Sequence, residues 1–559
     1  MSEIDIPAPI DRPEEKPREQ ALGRKVSRGM SWMVIATLIG KTASFGSAWV
    51  LGILLSEDDY AIYGIAMGLA AFAQVLRDGG MRQILIQKRA HRYEKLSGPM
   101  FWFSGLFNGG AGLLLGVLSW PIAAAYREPA LGPVLLAIAV SIALTTPLGV
   151  YRAKMSVDLQ FRHLATLNTM SSVVRYTSMI LFALMGLGAL SFTLPLVART
   201  IFEALYGYWV TRDAPWKRPP RRRLWPALWS RSKWLIFGTF AMATLRQGDY
   251  LVLGWLKLAD MVSKSALGQY VFAYQIAVQV NVLVAVNLQT VLFPALSKLA
   301  NEPKRHAQAI LRATRVMMLV GSGFGLGIAC VFEPLETVLW GDKWSEATEA
   351  VVWMAAFFPM RLLTSVLNSA QLSKGRYGEW FWISMVQGAG MMLAALVAGW
   401  FWNDSGEISM VIGIYFLVGV APTVVWGLHR CGVDWKQNLT SLLPTWLVAC
   451  AAAAIAFELV ELLTIPSLAS GLQLTGGRGE RVDALVQVAL LGGLFSSFYL
   501  AGLRIFTPRA LAETLDIGPA RFRRPIIRLL CLPQVERLGK VKGNGAPGPA
   551  GAPDNGGAL

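Results

Sequence analysis

The chain has 559 residues, of which 54% are hydrophobic and only 16% charged, with 54 Gly, 20 Trp and a formal net charge of +17. This balance excludes a string of water-soluble domains and predicts an all-α polytopic membrane protein. The four cysteines (Cys330, Cys431, Cys450 and Cys531) are scattered, with no spacing that suggests a metal site or a disulfide framework.

The first apolar run starts near Met30, behind a polar tail spanning 1–29. At about 25 residues it is too long for the core of a cleavable signal peptide, and it reads as a retained first span. Inside it, Gly40-Lys41-Thr42 looks like the end of a phosphate-binding loop, but Ile35 stands where that loop needs glycine and no strand precedes it. Lys41 is therefore read as a charge placed inside a membrane helix. With roughly 20 apolar residues needed per crossing, the chain offers fourteen candidates. They are 30–54, 60–78, 99–125, 131–150, 167–187 and 190–211, then 234–256, 266–294, 316–333, 349–372, 379–402, 408–428, 440–463 and 484–506.

Basic residues provide an independent check. With the N-terminus placed in the cytoplasm, the inside loops hold 26 Lys and Arg and the outside loops 6. That alternation predicts fourteen spans with both termini cytoplasmic. The net charge is thus largely a topology signal, and no nucleic-acid partner is expected. The densest basic block, Arg212–Lys233, divides the helices into an N-lobe (30–211) and a C-lobe (234–428), with spans thirteen and fourteen (440–506) as an appendage. In the tail 507–559, Pro519–Pro533 alternates basic and apolar residues, as an interfacial helix on anionic phospholipids would. The Gly/Pro/Ala-rich end and most of the first twenty residues cannot bury a core and are expected to be disordered.

A charged side chain at the centre of a spanning helix costs about 2.5–3.5 kcal/mol on insertion scales, so each such residue needs a reason. The candidates are Lys41, Arg77, Asp78, Arg175, Arg199, Glu203, Arg246, Asp249 and Arg361. Lys41 shares a helix face with Thr37 and Ser44, and Arg175 with Asn168, Ser171 and Ser178. Arg361 shares one with Ser365, Asn368 and Gln371, and span eight carries Gln275, Gln279, Asn281, Asn287 and Gln289. These polar stripes can converge on one hydrated cavity, or the amides can simply glue helices together. Arg199 and Glu203 (i, i+4) can neutralise each other, and so can Arg246 and Asp249 (i, i+3). Arg77 and Asp78 lie near the inner surface, where a long side chain can snorkel. Lys41, Arg175 and Arg361 have no partner in their own helices. If Arg246 and Asp249 pair, the unpaired candidates are cations, which suits an anionic substrate such as a phosphate.

Several strings resemble the polysaccharide-exporter branch of the multidrug/oligosaccharidyl-lipid/polysaccharide flippase superfamily, which includes the Wzx-type O-antigen and exopolysaccharide flippases. They are Leu54–Arg89, Asp158–Tyr176, Gly248–Leu256, Ala266–Ala277, Leu292–Arg305 and Gly341–Ala347, together covering roughly residues 25–430. The resemblance implies a flippase carrying an undecaprenyl-diphosphate-linked oligosaccharide across the bacterial inner membrane, for exopolysaccharide or O-antigen synthesis. It implies two six-helix lobes that alternate around a central cavity, with cations engaging the diphosphate. Lys41, Arg175 and Arg246 match that role by chemistry and depth, with Arg361, Arg77, Gln275, Gln279 and Asn368 as further cavity candidates. The chain departs from the pattern at Gly52-Ile53, where family members often have an Ala-Arg-like pair. The extra helix pair resembles the fourteen-span lipid II flippases.

No Walker motif is present, so the expectation is a secondary transporter without cofactor, driven by a proton or sodium gradient or by the membrane potential. Asp249, Glu203 and Asp78 are the candidates for the coupling ion. Asn, Gln, Tyr274 and Trp groups are expected to contact the glycan. A polysaccharide polymerase and a chain-length regulator are the expected protein partners. The rivals are a MATE-like drug or cation antiporter, whose site should be rich in carboxylates, and a membrane-embedded polymerase, which needs a sizeable outer loop.

Overall fold

The structure is a computed structural model and describes residues 40, 42–75, 93–158, 160–462 and 477–515. Lys41, Arg77, Asp78 and the basic segment 519–533 lie outside the described residues. Among the described residues there is no strand, and helices follow one another through short connections.

In chain order the helices are α1 (Thr42–Leu54), α2 (Glu57–Val75), α3 (Tyr93–Ala125), α4 (Leu131–Leu144), α5 (Thr146–Val157), α6 (Phe161–Leu184) and α7 (Leu190–Thr211). A linker carrying two short 3-10 turns leads to α8 (Trp225–Leu258). Then come α9 (Lys264–Lys298), α10 (Pro303–Trp340), α11 (Thr348–Ser373), α12 (Tyr377–Phe401), α13 (Ser405–Arg430), α14 (Trp435–Leu462), α15 (Gly477–Phe506) and α16 (Pro508–Leu515). Seven of these helices are individually long and apolar enough to cross a membrane, which makes the chain a multi-pass membrane protein. The expected single span at 131–150 is α4 and α5, meeting at a 42° bend. Pro147 explains it: the ring has no N–H and clashes with the carbonyl one turn back.

Packing follows the order of the chain. Helices α3 to α7 pack among themselves, as do α8 to α13, and α2 bridges the two sets through contacts with α8 and α9. Gly68 permits that bridge, since a Cβ there would come within 2.6 Å of the Leu251 backbone nitrogen. Helices α14 and α15 pack on each other and on α10, burying Phe495, Tyr499 and Leu503 with Leu319 and Leu326. Pro359 interrupts the hydrogen-bond ladder of α11, and Trp446 of α14 donates to the nearby Ala356 carbonyl at 2.9 Å. Helix α16 is tied to α10 by Arg315, which makes two bonds to the Glu513 carboxylate at 2.6 and 2.7 Å.

Candidate functional site

Middle turns of α8, α9 and α11, together with residues of α1, α2 and α6, line a cavity of about 460 Å³. Three guanidinium groups reach it from three helices: Arg175 on α6, Arg246 on α8 and Arg361 on α11. The lining also holds Ser44 and Ser47, the hydroxyls of Tyr63, Tyr176, Tyr250 and Tyr274, and the amides of Gln247, Gln275, Gln279 and Asn368. Among the described residues that line it there is no Asp or Glu.

Arg361 is the deepest of the three and is held on every side. Its Nη1 donates to Tyr274 Oη and its Nη2 to the Leu245 carbonyl at 3.2 Å. The Tyr274, Phe358 and Phe416 rings lie 5.1, 5.3 and 5.4 Å from its guanidinium carbon. Phe416 opens a π-helical turn, Phe416–Val420, inside α13. Such turns shift the register of a helix locally and recur at functional sites. None of these partners is a carboxylate, so the guanidinium is solvated by dipoles and ring faces, while buried Asp249 acts on its charge through space without a direct bond.

Arg246 and Arg175 are less occupied. Arg246 projects into the cavity with its side chain exposed there. Arg175 lies 5.6 Å from the Tyr176 ring, and its buried Nε has no hydrogen-bond partner. Gln275 Nε2 is also buried and unpartnered. Gln279 accepts from Ser44 Oγ at 3.3 Å, a polar link between α9 and α1. Buried polar atoms without partners are costly, and here they edge a cavity where a polar ligand can satisfy them.

Other expectations are corrected. Asp249 does not pair with Arg246. It is fully buried, accepts from Tyr270 Oη at 2.6 Å through Oδ2, and has no partner at Oδ1. Three residues along α8 leave the two side chains only about 60° apart, but packing against α9 brings the Tyr270 hydroxyl to Asp249 instead. Glu203 lies away from the cavity, bonded to Arg152 Nη2 at 3.0 Å and Arg199 Nε at 2.9 Å. The i, i+4 pairing with Arg199 is as expected, and Arg152 joins from α5. Gln371, expected on the Arg361 face, is buried outside the cavity with both amide atoms unpartnered. Among the described residues no Trp lines the cavity. Trp49, Trp120, Trp209, Trp382 and Trp400 instead have exposed rings on the outside of the bundle, where amphipathic rings suit a membrane interface. Among the residues not foreseen, Tyr63, Tyr176 and Tyr250 are the most prominent. Two of them directly follow a singled-out charge, Arg175 or Asp249, and that adjacency was the available signal.

Known proteins resemble the chain both in sequence and in fold. A family model described as "Polysaccharide biosynthesis protein" matches residues 50–349. The teichuronic acid biosynthesis protein TuaB of Bacillus subtilis (strain 168) is 23% identical over 459 residues, covering 78% of this chain and 89% of that one. The lipopolysaccharide biosynthesis protein WzxC of Escherichia coli (strain K12) is 22% identical over 457 residues, with the same coverage of 78% and 89%. The lipid II flippase MurJ in an inward-closed conformation superposes with a TM-score of 0.62 at 14% identity, covering 84% of this chain and 99% of that one. At that identity the likeness speaks for the fold. With more than half of its length matched by the family model, the chain belongs to the polysaccharide biosynthesis protein family.

Proposed function

We propose that the chain is a flippase that carries an undecaprenyl-diphosphate-linked oligosaccharide repeat unit across the bacterial inner membrane, by alternating access. One observation carries this reading: Arg175, Arg246 and Arg361 converge on a single cavity whose described lining holds no carboxylate. Planar guanidinium forks suit the oxygens of a diphosphate. The tyrosine hydroxyls and the Gln and Asn amides around them suit sugar hydroxyls, while the prenyl chain stays in lipid. The names of the relatives, in teichuronic acid and lipopolysaccharide biosynthesis, fit a substrate of this class. The same lining weighs against a MATE-like cation or drug antiporter.

In this reading α1–α7 and α8–α13 are two lobes that rock about the cavity, and α14–α15 are appended to the second. Both termini face the cytoplasm, and the end carrying the 341–347 loop faces outside, as the distribution of Lys and Arg predicts. Transport draws on a proton or sodium gradient or on the membrane potential, which supplies about 2.3 kcal/mol per charge per 100 mV. Asp249 is the preferred coupling site, because one carboxylate oxygen is free of partners whereas Glu203 is occupied by two arginines. Lys41, Arg77 and Asp78 remain candidates by sequence. Anionic phospholipids along 519–533, a polymerase and a chain-length regulator complete the proposed partners.

A deletion strain tests the function. Lipid-linked repeat units accumulating inside, with loss of surface polysaccharide and rescue by the intact gene, support it. Normal surface polysaccharide without accumulation contradicts it.

A further inference from the structure

The Gly341–Ala347 loop, which has no task in the scheme above, reaches from the second half of the chain onto the last turn of α1 in the first. Lys343 Nζ donates to the carbonyls of Ile53 at 2.8 Å and Leu55 at 2.7 Å. Trp344 Nε1 donates to the Gly52 carbonyl at 2.9 Å. One turn away, Trp340 Nε1 donates to the Trp49 carbonyl at 3.0 Å, and Trp49 Nε1 donates back to the Leu339 carbonyl at 3.1 Å. The last turn of a helix leaves carbonyls unpaired and carries partial negative charge, so a lysine there is doubly matched.

The loop is built to hold this pose. Gly341 and Asp342 both have a left-handed φ of 64°. Thr337 Oγ1 donates to Asp342 Oδ1 at 2.7 Å, and buried Glu336 accepts the Trp344 backbone N–H at 2.8 Å. The Trp344 ring stacks on Phe272 with centroids 3.9 Å apart and meets Tyr60 edge-on at 5.1 Å. Gly52 makes room, since a Cβ there would run into the Trp340 indole. Beside this clasp, Glu128 bridges Lys257 at 2.9 Å and Lys264 at 2.8 Å, and Lys264 also meets Asp58 at 3.3 Å. The inter-half salt bridges among the described residues thus lie at the same end as the loop. Helix α1 also places Ser44, Ser47, Ala48 and Leu51 in the cavity wall, so whatever grips its end also sets that wall.

We propose that Lys343 and Trp344 are positioning residues that clasp the end of α1 and keep the cavity shut on the 341–347 side, and that release of the α1 carbonyls is the step that opens it there. Water replaces each of these bonds in the open state, so their net strength is modest and the clasp is reversible. The side of the membrane on which it opens rests on the orientation proposed above.

The test uses the full-length protein with its four native cysteines replaced and Ser365→Cys as a reporter in the cavity wall. Labelling by a membrane-impermeant anionic methanethiosulfonate is followed from each side of oriented vesicles. Lys343→Ala and Trp344→Phe are expected to raise outside labelling about tenfold, the scale of one or two lost charge-assisted or buried hydrogen bonds, while Lys343→Arg stays near the parent. A matching rise from both sides marks general loosening and overturns the proposal, as does unchanged labelling in Lys343→Ala and Trp344→Phe. A rise confined to the cytoplasmic side supports the clasp and overturns the proposed orientation.

Discussion

Arg361 and Tyr274 are bonded to each other between α11 and α9, and the same phenol donates its own hydrogen to the Arg246 carbonyl at 3.0 Å. One hydroxyl therefore links the deepest cation of the cavity to the helix turn that carries another. Tyr274→Phe removes both bonds and leaves the ring in place. Hydrogen bonds to charged groups are worth about 1.5–3 kcal/mol, so flipping should fall at least about tenfold. The thermal midpoint should move by only a few degrees. Initial rates in proteoliposomes beside a melting curve make the comparison.

Asp249→Asn keeps an oxygen for Tyr270 while removing the charge. Under the proposed coupling, flipping by this variant should no longer respond to an imposed proton or sodium gradient, and its affinity for the lipid-linked substrate should be retained. Glu203→Gln should behave in the opposite way. It leaves the partly exposed Arg152 and Arg199 without their carboxylate, a loss of about 1.5–3 kcal/mol, and should lower thermal stability without changing the response to the gradient.

These two acids mark how far the sequence could be read. Apolar run length located the helices, because a membrane span is a local property of about 20 residues. The Arg199–Glu203 pair was legible because i, i+4 neighbours meet on any helix. Arg152, which completes that cluster, comes from another helix, and nothing local announces it. For Arg246 and Asp249 the spacing suggested a pair, but packing against α9 gives Asp249 to Tyr270. Gln371 was misplaced because ten residues after Arg361 the helix has turned it about 80° off that face, whereas Asn368 remains within about 20°. The polar stripes thus found the cavity, and its tyrosine wall depended on tertiary contacts.

Gly68→Ala tests the seam between the halves. The added methyl must displace the Leu251 backbone, and overpacking of this kind costs about 1–3 kcal/mol. Since α2 and α8 lie on opposite sides of the proposed hinge motion, the cost should fall on the state seen here. Outside labelling of the Ser365→Cys reporter should rise, as it does for the clasp variants.

The Glu128 bridge predicts a pH response. Burial opposes its charge, but the bonds and charges of Lys264 and Lys257 outweigh that and hold the carboxyl below its ordinary value of 4.5. Burial likewise opposes the charge of Lys264, yet Glu128 and Asp58 raise its pKa above 10.5. A depressed carboxylate contributes to the closed state above its free pKa and loses that contribution as pH falls through the lowered value. A raised lysine loses its share only as pH climbs past the ordinary lysine range. Outside opening should therefore be flat through neutral pH and increase on acidification below the ordinary carboxylate range. It is read here by collisional quenching of a fluorophore carried on the Ser365→Cys reporter, because thiol labelling itself fails once the thiolate is protonated. Glu128→Gln should be open at neutral pH and show no such acid step.

The most direct measurement is flipping of a diphosphate-prenyl-linked oligosaccharide by the purified protein in proteoliposomes, comparing the parent with Arg175→Ala and Arg246→Ala. If the arginine-lined cavity holds the diphosphate, each variant should lose at least about tenfold in rate, the loss expected for one charge-assisted contact. Arg175→Lys and Arg246→Lys should recover part of it. Unchanged flipping by both alanine variants, in protein that melts like the parent, would contradict the cationic cavity as the substrate site.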